Sequence, residues 1–495
     1  MKRALSVLAA QCGGALQGAD AQFAQVLIDS RRVGAGDLFC ALPGEHADGH
    51  DFVSAAAAAG AGGALVARPV AAALPQILVS DVAQALTRAA RAWRGDFHGP
   101  LIGVAGSNGK TTTKEMLAAI LERSGRTLAT QGNLNNQLGV PLTLLRLTPE
   151  HRSAVIEMGA NRAGDVAELA ALATPRIGLI TNAGAEHLEG FGSLEGVARA
   201  EGEMVAALAA NGVAIINADD PYAPLWRSMT RARVVDFGIS AAGPGAARVG
   251  ADQVRAENVR LTVDARGFQT RFTLRCAAGS VEVESALAGR HNVYNALAAA
   301  AAALAAGATL SQVASGLGTM RAVAGRLQFR RGLHGAWLID DSYNANPSSV
   351  QAALEVLAEL PGRRWAVLGD MAELGAHAEA SHREIGVLAR RSGVERLYTF
   401  GALAALAAES FGAGAHRFGD MDLLRAALVS ALDSTSRATP GAGPAGELPG
   451  ELPGELAGDV RLLIKGSRVN RLERLVAALT EPTGTGSTSA ARQVG

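Results

Sequence analysis

Three features are scarce in this 495-residue sequence: cysteine, net charge and long apolar runs. The three cysteines, Cys12, Cys40 and Cys276, are scattered without metal-ligand spacing, which argues against a disulfide framework and for a reduced, cytoplasmic protein. Lys+Arg and Asp+Glu are both 46, so the balance calls for no nucleic acid and no anionic membrane surface. No window is long and apolar enough to span a bilayer, and the Ala-rich run at 296–306 is too short. Lys2-Arg3 followed by Ala4 to Ala10 imitates a short signal peptide, but its apolar core is only about seven residues. Leu5, Leu8 and Leu16 fit one face of an opening helix instead.

What is abundant is apolar content. Hydrophobic residues are 48% and charged residues 19%, the make-up of buried globular cores, and the length implies several domains. Three blocks and a tail emerge. Residues 1–98 mix short helical and strand patterns, and a tryptophan-containing linker, Trp93 to Pro100, leads out of them. Residues 99–320 alternate strand and helix patterns, which predicts a parallel sheet covered by helices. The strands fall at 101–105, 153–157, 177–181 and 213–217, and the helices at 110–123, 164–172 and 194–210. A β-rich stretch follows at 258–287, then an Ala-rich helix from about 292 to 306. Residues 321–480 return to an α/β pattern, with strands at 336–340, 365–369, 396–400 and 460–464. The Gly-Glu-Leu-Pro repeats at 446–458 read as a solvated loop, and the tail at 481–495 as disordered.

The strongest local signal is Gly106-Ser107-Asn108-Gly109-Lys110-Thr111-Thr112, placed between a strand and a helix. Glycines let backbone N–H groups approach phosphates, and a helix N-terminus adds partial positive charge. Lys110 suits the β- and γ-phosphates, and the Thr111 hydroxyl suits Mg²⁺. The strict P-loop pattern fails at its first position, where Val104 stands for glycine; a plain Gly-rich turn is the bland alternative.

The run 106–116 resembles the ATP loop of the Mur ligase family, and specifically the branch that adds D-alanyl-D-alanine. Other matching motifs follow in order along the chain: Asp29-Ser30-Arg31, Gly132-Asn133-Leu134-Asn135-Asn136, Glu157-Met158-Gly159, His187-Leu188-Glu189-Gly190-Phe191, Asn217-Ala218-Asp219-Asp220, His291-Asn292-Val293-Tyr294-Asn295, Asp340-Asp341-Ser342-Tyr343-Asn344-Ala345-Asn346-Pro347 and Lys465-Gly466-Ser467-Arg468. The resemblance implies a three-domain α/β architecture, with a uridine-nucleotide domain, a central P-loop-type parallel-sheet domain and a Rossmann-like C-terminal ligase domain. It implies an ATP- and Mg²⁺-dependent ligase that joins D-alanyl-D-alanine to UDP-N-acetylmuramoyl-tripeptide through an acyl phosphate, acting as a monomer.

The same resemblance distributes roles. Glu157 and Thr111 hold one Mg²⁺, and His187 a second. Asn292 meets the adenine, Arg326 the ATP phosphates, and Asp340 or Asp341 the ribose. Ser30 and Arg31 contact the uridine diphosphate. Asn133, Asn135 and Asn136 line the muramoyl-peptide channel, and Asn344 and Asn346 face the dipeptide. Each has a bland reading: a solvated strand-end carboxylate for Glu157, a surface or core histidine for His187, a helix cap for Asn292.

One departure stands out. Where the family places a lysine that CO₂ converts to a metal-binding carbamate, this chain reads Ala200-Glu201-Gly202-Glu203. Glu201 keeps a negative oxygen ligand but has a shorter reach, so the expectation is action on the second Mg²⁺ through water or after an inward shift of its helix. The alternative is a solvent-facing glutamate. Three competing identities are the diamino-acid-adding branch, a folylpolyglutamate synthase and a non-catalytic nucleotide-binding protein. The first lacks its Asp-Asn-Pro-Arg element here, the second its Gly-Lys-Gly-Ser run, and the third would not need the phosphate lysine and metal ligands.

Overall fold

The computed structural model describes residues 3–44, 47–185, 188–239, 250–264, 267–438 and 460–481. The chain divides into two compact units. The first comprises the chain up to Arg260 with Thr270–Ser285 and Arg290–Met320; the second comprises Leu261–Gln269, Ala286–Gly289 and the chain from Arg321. The repeats at 446–458 lie outside the described residues, as does the tail beyond Glu481.

Within the first unit, the described part of the N-terminal block carries a five-stranded sheet ordered Ala15–Gln17, Gln76–Leu78, Gly63–Val66, Leu38–Cys40, Val26–Leu27. The opening helix is shorter than the apolar pattern implied. It spans Leu5–Cys12 and stops at Gly13, which adopts a left-handed φ of 70°, so Leu16 falls in a strand. The expected linker is part of the core. Trp93 lies in the last turn of helix Val82–Gly95, 5% exposed, and its indole N–H donates to Leu147 O at 2.9 Å. One continuous cluster runs from Leu5, Phe23 and Trp93 through Leu147 to Ile156 and Trp226.

The central sheet has nine described strands. Its order is Gly279–Ser285, Gly267–Cys276, Gln253–Asp264, Arg233–Ile239, Val213–Asn217, Ile177–Ile180, Leu101–Ala105, Ser153–Glu157, Thr127–Ala129. The seven from Gln253–Asp264 to Thr127–Ala129 pair in parallel. Four of them, Leu101–Ala105, Ser153–Glu157, Ile177–Ile180 and Val213–Asn217, are buried at every position, as strands covered on both faces must be. The Ala-rich helix begins at Arg290, directly after Gly289, and its small side chains pack against helix Lys110–Leu121. The helix expected at 194–210 ends at Ala206, before a turn in which Gly212 N–H donates to Ala209 O.

The second unit holds six described strands in the order Gln328–Arg331, Trp337–Asp341, Val460–Lys465, Arg363–Gly369, Arg396–Phe400, Ala415–Phe418. All neighbours are parallel except the first pair. The core contains Ile339, Leu354, Leu368, Leu397 and Leu463, joined by Phe268 from the segment Leu261–Gln269. Among the described residues no helix is long and apolar enough to cross a membrane.

Candidate functional site

Strand Leu101–Ala105 lies inside the parallel sheet between Ile177–Ile180 and Ser153–Glu157, and its carboxyl end is where ligands of such sheets bind. The chain turns there through Gly106 to Gly109 and enters helix Lys110–Leu121. Val104, which broke the strict motif, is an interior strand residue with a fully buried side chain, so the loop proper begins at Gly106. Gly106 and Gly109 adopt φ values of 119° and 84°, a region that disfavours side chains. Space forbids them as well. A Cβ at Gly106 would stand 2.1 Å from Thr181 Oγ1, and one at Gly109 would stand 2.2 Å from Asn295 Oδ1.

The loop is braced by a second one, residues 181–184. Ser107 N–H donates to Asn182 O at 2.9 Å, and Asn108 N–H to Asn182 Oδ1 at 3.1 Å. Asn182 Nδ2 and Thr181 Oγ1 both donate to Asn108 O. Ser107 Oγ accepts from Gly184 N–H at 2.8 Å. Asp220 anchors the bracing loop by accepting from Ala183 N–H, and burial raises its carboxyl above the usual range. Asn295 was quoted in its motif but given no role, and Thr181 and Asn182 were given none; the latter two stand 73 and 74 residues from Asn108, too far apart for a local pattern to link them.

Around this cradle lie the expected chemical groups. Lys110 Nζ folds back on Gly106 O (2.5 Å) and Ser107 O (2.9 Å). Thr111 Oγ1 donates to Glu157 Oε1 at 3.2 Å, and Asn135 Nδ2 donates to the same oxygen at 2.9 Å. Glu157 is 2% exposed, and its other oxygen, Oε2, is buried with no hydrogen-bond partner. That orphan rules out the solvated strand-end alternative and gives a hard cation an anionic oxygen beside a hydroxyl. No group of three or more His, Cys, Asp or Glu that could hold a metal occurs among the described residues. This donor set fits Mg²⁺, which keeps several waters and takes one or two protein ligands. Thr112 is buried in the first turn of the helix. His187 lies outside the described residues.

Glu201 is buried against the phosphate loop. It is 2% exposed, which overturns the solvent-facing alternative, and its Oε2 accepts from Gly106 N–H at 2.5 Å. Asn292 is nearly buried inside the first turn of helix Arg290–Ala305 and so is not a cap. Its Oδ1 accepts from Asn295 Nδ2 at 3.1 Å.

The remaining candidates divide by environment. Arg31 is spread over Asp29, its Nε and Nη2 each 2.9 Å from the carboxylate, and these bonds hold Asp29 below the usual carboxylate range. Ser30 opens the 3₁₀ turn that Asp29 caps. Asn133 is exposed, while Asn136 Oδ1 accepts from Leu138 N–H and Gly139 N–H just before helix Gly139–Leu144. In the second unit Asp340 accepts from the backbone and hydroxyl of Ser342. Asp341 pairs with the buried Lys465 at 2.5 Å, and Lys465 also donates to Asn344 O. Asn346 is the N-cap of helix Pro347–Glu359, so its side-chain oxygen serves the backbone there. Arg326 lies over the Tyr343 ring, 4.5 Å from its centroid.

A glycine loop braced at a sheet's carboxyl edge, a lysine on its rim and a threonine–carboxylate pair beside it define a protein that handles nucleoside triphosphates. Comparison with known proteins makes the class specific. Residues 22–94 match the Mur ligase family catalytic domain, 104–303 the Mur ligase middle domain and 325–438 the Mur ligase glutamate ligase domain. The chain belongs to the Mur ligase family. It is 42% identical to UDP-N-acetylmuramoyl-tripeptide–D-alanyl-D-alanine ligase of Escherichia coli (strain K12), over 96% of this chain and 98% of that one. Its structure is similar to MurF from Acinetobacter baumannii, with a TM-score of 0.83 and 32% identity over 96% of this chain and 98% of that chain. It is also similar to MurF ligase from Thermotoga maritima in complex with ADP, with a TM-score of 0.73 and 26% identity over 92% and 96%.

Proposed function

We infer that the protein is an ATP-dependent ligase that adds D-alanyl-D-alanine to UDP-N-acetylmuramoyl-tripeptide in peptidoglycan synthesis. The observation that carries this reading is the 42% identity to an enzyme of that name, spread over 96% of the chain. The chemistry of the loop agrees with it. A carboxylate is a poor acyl donor until one of its oxygens becomes a leaving group. Transfer of the γ-phosphoryl of ATP to the tripeptide carboxylate makes an acyl phosphate, a mixed anhydride whose phosphate can leave, and releases ADP. The dipeptide amine then attacks the acyl carbon, phosphate leaves, and the amine loses a proton as the amide forms.

In this reading the N–H groups at the start of helix Lys110–Leu121 and the Lys110 ammonium neutralise the phosphates, the contribution that matters most in phosphoryl transfer. Thr111 and Glu157 would hold Mg²⁺, which supplies further charge neutralisation at the phosphates when bound. Asn135 and the Thr130 hydroxyl, which accepts from Glu157 N–H at 3.0 Å, orient that carboxylate. Glu201 holds the loop's first peptide in place through Gly106 N–H. The resemblance adds Asn292 toward adenine, Arg326 toward the phosphates, Asp340 or Asp341 toward the ribose, and Ser30 and Arg31 toward the uridine diphosphate.

The test is phosphate release by purified protein supplied with ATP, Mg²⁺, UDP-N-acetylmuramoyl-tripeptide and D-alanyl-D-alanine, each omitted in turn. Release should require all four. Lys110→Ala should fold normally yet lose about a hundredfold to a thousandfold in rate. Release that is indifferent to the dipeptide, or a fully active Lys110→Ala, would defeat the reading.

A further inference from the structure

In the second unit, strand Val460–Lys465 is followed by a short turn through Arg468–Asn470. The turn is fastened on both sides. Ser467 Oγ donates to Ala345 O at 3.1 Å and accepts from Ala372 N–H at 2.9 Å. Asn470, 8% exposed, donates to Asp370 O at 2.8 Å and accepts from Asp370 N–H at 3.2 Å. Arg471 closes the turn in the left-handed region at φ 49°, a conformation a non-glycine residue keeps only where its surroundings impose it.

This rigid turn presents outward two side chains that its own packing does not use. Val469 is 74% exposed, the largest exposure among the big apolar side chains described. Arg468 is exposed, and its guanidinium makes no hydrogen bond or ion pair among the described residues. It lies over the Tyr343 ring, 5.4 Å from the ring centroid. Arg326 lies over the same ring at 4.5 Å. Contact with an aromatic ring restrains a guanidinium without using its N–H donors. Two cations gathered at one ring favour an anion beside them, and a guanidinium fork matches a carboxylate in shape. The neighbouring valine adds a surface for a short apolar side chain.

We propose that Arg468, held by Tyr343, binds the free carboxylate of the incoming D-alanyl-D-alanine, with Val469 beside a methyl group of the dipeptide. The proposal rests on the ligase reading above. The reaction consumes the amine end of the dipeptide, whereas its carboxylate passes through unchanged and must be recognised by a group outside the chemistry. Arg468 has the right charge, geometry and freedom for that task.

Steady-state kinetics of wild type, Arg468→Ala and Arg468→Lys with D-alanyl-D-alanine and with D-alanyl-D-alaninamide test this. Arg468→Ala should raise the KM for the dipeptide roughly tenfold to a hundredfold, the usual loss for a charge-assisted hydrogen-bonded contact. Its kcat, and the KM values for ATP and the tripeptide nucleotide, should hold. The amide, lacking the carboxylate, should be a poor substrate for wild type and no poorer for Arg468→Ala, because both changes remove the same interaction. Arg468→Lys should recover part of the loss, as a point charge without the fork. A rise in the KM for ATP instead would make Arg468 a phosphate ligand and overturn the proposal. An unchanged dipeptide KM, or an equal loss on both substrates, would overturn it too. Thermal melting of Arg468→Ala should overlay that of wild type, the residue being exposed. Wild type without turnover would defeat the ligase reading itself, a result separate from these.

Discussion

Glu201 shows what one residue does when its partner is far away in sequence. Its carboxylate is buried and accepts from Gly106 N–H, 95 residues earlier, at the first peptide of the phosphate loop. The substitution itself was readable as a departure from the family's Ala-Lys-Gly-Glu, but its partner was not, because no local pattern links a helix residue to a loop on a neighbouring strand. The bond makes a sharp prediction. Glutamine keeps an oxygen that can accept from Gly106 N–H but carries no charge, whereas alanine leaves that N–H buried and unsatisfied, at about 1–3 kcal/mol. Glu201→Gln should therefore keep most of the turnover and an unchanged Mg²⁺ titration, while Glu201→Ala raises the KM for ATP and melts earlier. Neither should respond to bicarbonate. A Glu201→Gln protein as impaired as Glu201→Ala, with its Mg²⁺ titration shifted upward, would show that the negative charge serves the metal instead.

At the scale of elements, the parallel strands were the most legible part. Ser153–Glu157, Val213–Asn217 and Arg396–Phe400 fall where the apolar runs placed them, because a strand covered on both faces must be apolar at nearly every position. Helix ends were less legible, since alanine extends an apolar pattern past the point where a turn stops the helix, as at 207–210. Still less legible were the ties between elements. Lys114, on helix Lys110–Leu121, is completely buried. Its ammonium donates to Thr130 O at 2.7 Å and pairs with Glu115 at 2.6 Å. Thr130 in turn holds the Glu157 backbone, so the helix, the end of strand Thr127–Ala129 and the Glu157 strand are linked through one buried cation. Lys114→Met keeps the apolar stem but leaves Thr130 O without its donor, and should cost about 1–3 kcal/mol in denaturant unfolding. It should also lower kcat more than it raises the KM for ATP, because Glu157 shifts while the loop stays. Unchanged stability and turnover would remove Lys114 from that role.

At the scale of the whole molecule, the N-terminal block did not behave as a bead on a linker. Trp93 and Phe97 are buried in the core shared with the central sheet, and aromatic residues in a presumed linker were the warning that they would be. The order of motifs along the chain revealed the activity better than any one site did, because several groups of the expected site are held by residues too distant in sequence to be read as a pattern. The central claim remains chemical: the tripeptide carboxylate is activated as an acyl phosphate before the dipeptide attacks. Labelling that carboxylate with ¹⁸O and analysing the products of one turnover by mass spectrometry tests it directly. One labelled oxygen should appear in inorganic phosphate and one should stay in the new amide, with ADP as the other nucleotide product. Unlabelled phosphate, or label in AMP formed with pyrophosphate, would contradict the account.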